Sequence, residues 1–253
     1  MKEIVRQNFK VKLVETEEEL YKVRRLRYEA LILGHRDPST ITFEESFTEE
    51  DRDCDNLIVV DTTNDTVVGS YRFITKEMFE RPNCRIESFY SEWGFNIDDL
   101  KKLPYKILEL GKAAVHKDYR NGVVIKLMLK GASEYAKEHG LRLLFGIITM
   151  PEMTDADLRN VFSYLYYRSP QTDPNMQPYA LEPSIPMDSV PIEEIDVLKA
   201  KRQIPTAVKA YLALGCKFAK SACPRNKLLH HADMLIMLDI ENMNKRYAQY
   251  VLK

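Results

Sequence analysis

Residues 109–125 read ELGKAAVHKDYRNGVVI, and the way this stretch divides decides the fold. Its first half, ELGKAAV, continues an extended apolar run that begins near Tyr105. Its end opens a helical pattern in which Leu127, Leu129, Ala132, Tyr135 and Ala136 recur on one face up to about residue 139, and Gly140 stands where a helix stop belongs. Between the two, YRNG supplies the turn. A strand that enters a helix through Arg-Asn-Gly presents backbone N–H groups and the positive end of a helix dipole, an arrangement suited to an anion.

Outward from this junction the elements alternate. Leu20, Val23, Leu26, Ala30 and Leu31 fall at helical spacing behind the polar TEEE start, which predicts an amphipathic helix over residues 16–33. LIVVD (57–61) and VVGSYRF (67–73) flank an Asn-Asp turn and predict a hairpin. After the junction helix, LRLLFGIIT reads as a buried strand. Residues 150–203 then interrupt the alternation with one helix, DADLRNVFSYLYYR, and a loop carrying Pro170, Pro174, Pro178, Pro183, Pro186 and Pro191. A Pro-rich stretch of that length inside a domain reads as an insertion, a lid or a binding loop. A helix (TAVKAYLAL), a stop at Gly215 and two strand-like runs, CKFAKSA and HADMLIMLDI, close the pattern.

With 253 residues, 45% apolar and 30% charged, the chain has material for one larger domain, 1–253, or a core with a sizeable insertion. A formal charge of −1 gives no global pull toward nucleic acid. No signal-peptide core opens the sequence, and no run approaches the roughly 18 apolar residues of a spanning helix, so a cytoplasmic protein is expected. Peripheral contact with the inner face of a membrane stays open. Cys54, Cys84, Cys216 and Cys223 are far apart and indicate neither a disulfide frame nor a zinc site. The histidines, His35, His116, His139, His230 and His231, make no catalytic set, and no metal is expected. Charge is uneven locally: residues 101–145 hold ten Lys and Arg against four Asp and Glu, an excess of six that would steer an acidic partner.

The strand-YRNG-helix unit and AVKAYLALGCKF, with Tyr four residues before Gly, resemble the GNAT acyltransferases. Over nearly the whole chain, LRYEALI, DRDCDNLIVVD, VVGSYRF, FYSEWGFNIDDL, ELGKAAVHKDYRNG and IPTAVKAYLALG resemble the ornithine acyl-carrier-protein N-acyltransferase (hemolysin-like) family, with acyl-homoserine-lactone synthases as more distant relatives. The resemblance implies an α/β (α+β) GNAT fold with a mixed, twisted central sheet whose central strands splay apart, flanked by helices. Lys112 stands where that family usually has Arg, Asn56 where it often has His, and Arg225-Asn226 where Asp is expected.

The implied reaction moves a fatty, 3-hydroxylated acyl group from a thioester to the α-amine of an amino acid such as ornithine or glycine, with no permanently bound cofactor. The alternatives are a signal synthase of the lactone-forming kind and a non-catalytic acyl- or carrier-binding module. Glu109, a lone acid among apolar neighbours on the presumed central strand, is the candidate base, and Tyr211 the candidate proton donor to the leaving thiolate. Val115, His116, Lys117, Arg120, Asn121, Gly122 and Lys126 are the donor-binding candidates, with an oxyanion donor among the amides of Ala114 to His116. Aligned on Arg120, the two glycine positions of the GNAT phosphate cradle carry Val123 and Ile125. Either these residues crowd out a diphosphate, which favours the phosphopantetheine arm of an acyl carrier protein over coenzyme A, or they pack in the helix's first turn. Arg27, Asp51, Asp55 and Arg72 are the acceptor candidates, Arg72 for a carboxylate and the two acids for a second amine. The run EESFTEEDRD also reads as a solvated loop, and the aromatic stripe Phe162, Tyr164, Tyr166 and Tyr167 as core, acyl pocket or membrane contact.

Overall fold

The elements of this computed structural model, which describes residues 1–33, 41–46, 48–226 and 231–252, follow the sequence pattern closely around the junction. In chain order they begin with β1 (Ile4–Arg6), β2 (Phe9–Leu13), α1 (Glu17–Arg27), α2 (Glu50–Asp53), β3 (Asp55–Asp61) and β4 (Thr66–Thr75). Next come β5 (Phe95–Asn96), α3 (Asp98–Lys101), β6 (Lys106–Val115), α4 (Val123–Glu138) and β7 (Leu141–Thr149). Then follow α5 (Asp155–Arg168), β8 (Tyr179–Ala180), β9 (Ile185–Pro186), α6 (Val197–Gln203) and α7 (Thr206–Leu214). The last are β10 (Lys217–Phe218), β11 (Ser221–Asn226), β12 (His231–Asp239) and α8 (Lys245–Leu252). They divide into two compact units, Met1–Phe89 with Leu108–Leu141 and Gln249–Lys253, and Tyr90–Ile107 with Arg142–Ala248.

In the first unit β1, β2, β3, β4 and β6 pair in that order, and every pair is antiparallel. Thr16 caps α1 by accepting the Glu19 N–H at 3.2 Å, and Glu17, Glu18 and Glu19 sit at the positive end of its dipole. The expected helix over 16–33 is α-helical only to Arg27 and continues as a π-helical turn, Tyr28–Leu33. Val23 and Leu26 of α1 pack with Ile58, Val60, Val67 and Ala114 on one sheet face. The other face belongs to α4. A Cβ at Gly131 would lie 2.6 Å from Leu57 Cδ1, and one at Gly69 2.5 Å from Val124 Cγ1, so both glycines are set by the close approach of helix and sheet. The strands β1 and β2 were missed by the sequence reading, although FKVKL alternates as a half-buried strand should.

In the second unit β7 and β11 flank β12, again antiparallel, with β10 on β12 and β9 on β11. The run expected as one strand, CKFAKSA, is split into β10 and β11 where the Ala219 N–H turns to Leu235 O, 3.0 Å. The whole of 150–203 lies in this unit and is stitched down rather than loose. Asn160 and Asp196 exchange two hydrogen bonds of 3.0 and 2.8 Å, Val190 N–H donates to Ser163 Oγ at 2.9 Å, and Met187 N–H to Lys220 O at 3.0 Å. Its aromatic stripe does not act as one surface: Phe162 is buried, Tyr164 and Tyr166 are half-buried and Tyr167 is exposed. Cys54, Cys216 and Cys223 are buried free thiols, and Cys84 is a half-buried one. Among the described residues no helix is long and apolar enough to cross a membrane.

Candidate active site

The site is organised by β6. Its ladder with β4 pairs Glu109 with Ile74 and Arg72 with Gly111, then Ser70 with Ala114, so Lys112 and Ala113 together oppose the single residue Tyr71. This is a β-bulge. Alternation puts Glu109 and Gly111 on one face together with Arg72 and Ile74. A regular strand would send Lys112 to the opposite face, but Lys112 adopts φ +45°, and its amine reaches Asp51 on the Arg72 side.

Asp51 is the hub of this face. Lys112 Nζ donates to its Oδ2 at 2.7 Å, Arg72 Nη1 to its Oδ1 at 3.2 Å, and Arg27 Nη1 lies 3.8 Å from Oδ1. Asn56 fixes the turn that brings Asp51 here, donating from Nδ2 to Asp51 O (2.9 Å) and Cys54 O (3.1 Å) and accepting from Arg27 Nη2 at 2.8 Å. Arg27 Nε donates to Ser70 Oγ at 3.3 Å. The acidic run that read as a solvated loop therefore delivers one buried carboxylate among three cations. Burial alone would raise the Asp51 carboxyl, yet the pull of Arg27, then Lys112 and Arg72, with the Lys112 hydrogen bond, holds it below its ordinary value. Burial lowers the Arg27 guanidinium to about 10 and is also the main reason the Lys112 amine is lowered.

Asp55 is not part of this group. Its side chain accepts the Tyr135 hydroxyl at 2.7 Å and Arg81 Nη1 at 3.1 Å, tying β3 to α4 on the other face. Glu109 is on the Arg72 face and 1% exposed, so the lone acid of ELGKAAV is buried within the sheet. Tyr211 lies on α7 in the second unit, buried, five residues before the Cys216 N–H that its carbonyl accepts.

The donor candidates form the turn after β6. Arg120 Nε reaches back to Val115 O at 3.2 Å, and His116 Nδ1 accepts the Asp118 N–H at 3.3 Å. Tyr119 anchors the turn to β3 through Asp61, 2.8 Å. Gly122 holds φ +90°, which explains glycine there, and α4 begins at Val123. Of the candidate oxyanion amides, that of His116 is spent on Val68 O at 2.9 Å. Val123 is 44% exposed and Ile125 half-buried, whereas Val124 carries the packing, so the first-turn packing alternative does not describe Val123. Asn121 Oδ1 accepts the Val123 N–H at 3.1 Å, so one of the helix's free amides is already taken. The basic excess of 101–145 is also dispersed: Lys112 joins Asp51, Lys137 pairs with Glu134, Lys101 with Glu92, and Arg142 with Asp239. Lys117, Arg120 and Lys126 remain exposed around the head of α4.

Among the described residues no three His, Cys, Asp or Glu side chains gather as a metal site. His35 and His230 lie outside the described residues, as do the side chains of Arg225 and Asn226.

Residues 26–130, which hold α1's end, the Asp51 hub, β6 and the first half of α4, match the Acetyltransferase (GNAT) domain family. Over that segment the chain is similar to GNAT acetyltransferases. Three curated relatives bear the name L-ornithine N(alpha)-acyltransferase. That of Rhodobacter capsulatus is 24% identical, over 96% of this chain and 94% of its own length. The Brucella abortus protein is 28% identical over 78% and 71%, and the Agrobacterium fabrum protein 27% over 94% and 83%. Among solved structures, FeeM, an N-acyl amino acid synthase from uncultured soil microbes, shares the fold with a TM-score of 0.50, 9% identity and 92% coverage of both chains.

Proposed function

We propose that this chain is an N-acyltransferase that takes a 3-hydroxylated fatty acyl group from acyl carrier protein and places it on the α-amine of an amino acid such as ornithine, in aminolipid synthesis. The observation that carries the reading is the exposed Val123 at the first position of α4, with its N–H already held by Asn121. A diphosphate needs several amides and a close approach of backbone, which glycine permits and valine hinders. A phosphopantetheine arm brings one phosphodiester, for which the remaining amides with Arg120 and Lys117 are enough. The curated relatives' name supports an amino-acid acceptor.

In this mechanism Glu109, directly or through water, removes the proton from the acceptor's ammonium group, and the neutral amine attacks the thioester carbonyl. The tetrahedral oxyanion is met by backbone amides of β6, and collapse expels the pantetheine thiolate, which takes its proton from solvent. The cluster around Asp51 holds the acceptor's charged groups. The product is a lipid, so brief contact with the inner face of a membrane fits its release.

The test is to incubate the protein with acyl-carrier-protein thioester, or acyl-coenzyme A, and ornithine or glycine, reading amide by mass and free thiol by dye. Amide is expected from the carrier thioester. Equal rates from acyl-coenzyme A would defeat the donor assignment, and thiol release without amide would leave a thioesterase or a binder.

A further inference from the structure

Three cations surround one carboxylate in the Asp51 cluster, and they are not equivalent. The Arg27 side chain, 8% exposed, is spent on Asp51, Asn56 and Ser70, and that of Arg72, 5% exposed, donates to Asp51. The Lys112 side chain is 24% exposed. Among the described residues its only hydrogen-bond partner is Asp51, which takes one of an ammonium group's three donors. Around Asp51 stand three cations, Lys112, Arg72 and Arg27, with Glu109 on the same face, and of the three Lys112 is the most exposed.

The backbone tells the same story. Lys112 holds φ +45° inside the bulge, a conformation a side-chain-bearing residue adopts at a cost, although glycine stands next to it at 111. The strain turns the amine onto the face of Arg72 and Glu109 and so has a chemical result. Residues 109 and 112 lie three positions apart on the strand, and the bulge brings their side chains to the same face.

We infer that Lys112, backed by Asp51 and Arg72, binds the α-carboxylate of the acceptor and so sets its α-amine toward Glu109. Arg72, the sequence-based choice for this role, is instead a positioning residue that keeps Asp51 ionised. This deepens the function proposed above and rests on it.

Ornithine and 1,4-diaminobutane, which is ornithine without its carboxylate, form the test pair, used with wild type, Lys112→Met and Lys112→Arg. Removing a charge-assisted hydrogen bond raises KM for ornithine by about 10- to 100-fold in Lys112→Met, with kcat changed far less. The advantage of ornithine over the diamine collapses in Lys112→Met and returns in part in Lys112→Arg, because the two losses are one interaction. A preference for ornithine that persists undiminished in Lys112→Met overturns the inference, as does a raised KM for the acyl donor in place of the acceptor. A second readout needs no variant: amine-reactive labelling of wild-type Lys112, mapped by mass spectrometry, should slow in the presence of ornithine and not of the diamine. Equal labelling with both overturns it. Failure of wild type to form amide from any amino acid sinks the parent function instead, while the labelling still reads the carboxylate site by itself.

Discussion

Two ends of the same ten-residue strand do opposite things. Around Lys112, β6 enters a knot in which Asp51 is contacted by Lys112, Arg72 and Arg27, and all but the partly exposed Lys112 are buried. Past Val115, the same chain becomes a largely exposed turn, tied to β3 by Tyr119 and otherwise held by local bonds such as Arg120 to Val115 O and Asn121 to the Val123 N–H. Buried charges are worth keeping only when each is matched, so the first region is rigid and intolerant. Exposed charges interact weakly with each other and remain available to a partner, so the second is tolerant of folding changes and sensitive to ligands. On the function proposed above, chemistry belongs to the first region and docking to the second.

The sharpest way to break the contrast is at Glu109, which the buried face holds without exposing it. Glu109→Gln keeps shape and removes basicity. Turnover is expected to fall by about 10²–10⁴-fold with unfolding by denaturant little changed, checked by steady-state rates alongside urea midpoints. Unchanged turnover would remove Glu109 as the base and leave it a structural acid.

The next effect is on the fold. Asp51→Asn leaves three cations without their counter-charge, which should cost about 3–5 kcal/mol of stability, seen as a lower denaturation midpoint. Its pH dependence has a definite sign. A carboxyl whose folded value lies below its ordinary 3.8 contributes stability that is complete above that value and is lost as pH falls through the folded one. Wild type should therefore weaken below about pH 4, and Asp51→Asn should lack that part of the slope. Equal acid sensitivity in the two proteins would mean that the hub contributes nothing to stability.

The same contrast explains what could be read from sequence. The strand, turn and helix of 109–138 were legible because apolar periodicity, Gly122 and Gly140 act locally, and Glu109 stood out as an acid in an apolar run. Asp51 was named as a partner, but its burial was hidden in EESFTEEDRD, where composition points to water and only the Asn56 turn and the facing arginines reverse the sign. The resemblance of DRDCDN to the family motif groups Asp55 with it, whereas strand alternation in β3 turns Asp55 to Tyr135 on the other face. Lys112 was noticed only as a departure from a pattern. No local signal announces a bulge, since it is fixed by the count of residues opposite Tyr71 on another strand.

The smallest effect tests the docking end. Lys117→Glu and Lys126→Glu together change two exposed charges at the head of α4 and touch no buried partner. Stability should move by no more than about 0.5 kcal/mol. The KM for carrier-bound acyl donor should nevertheless rise, by roughly tenfold at low salt, because long-range attraction to an acidic carrier speeds encounter. Raising ionic strength shortens the Debye length to about 8 Å at 0.15 M, so wild type and the double variant should converge with salt. A KM for acyl-pantetheine, which lacks both the carrier's acidic surface and its phosphate, should stay the same in both proteins, and that separates attraction of the carrier's charge from a contact with the uncharged arm. A difference that survives high salt, or that appears equally with acyl-pantetheine, would place these lysines at the thioester arm and move the carrier's docking face away from the head of α4.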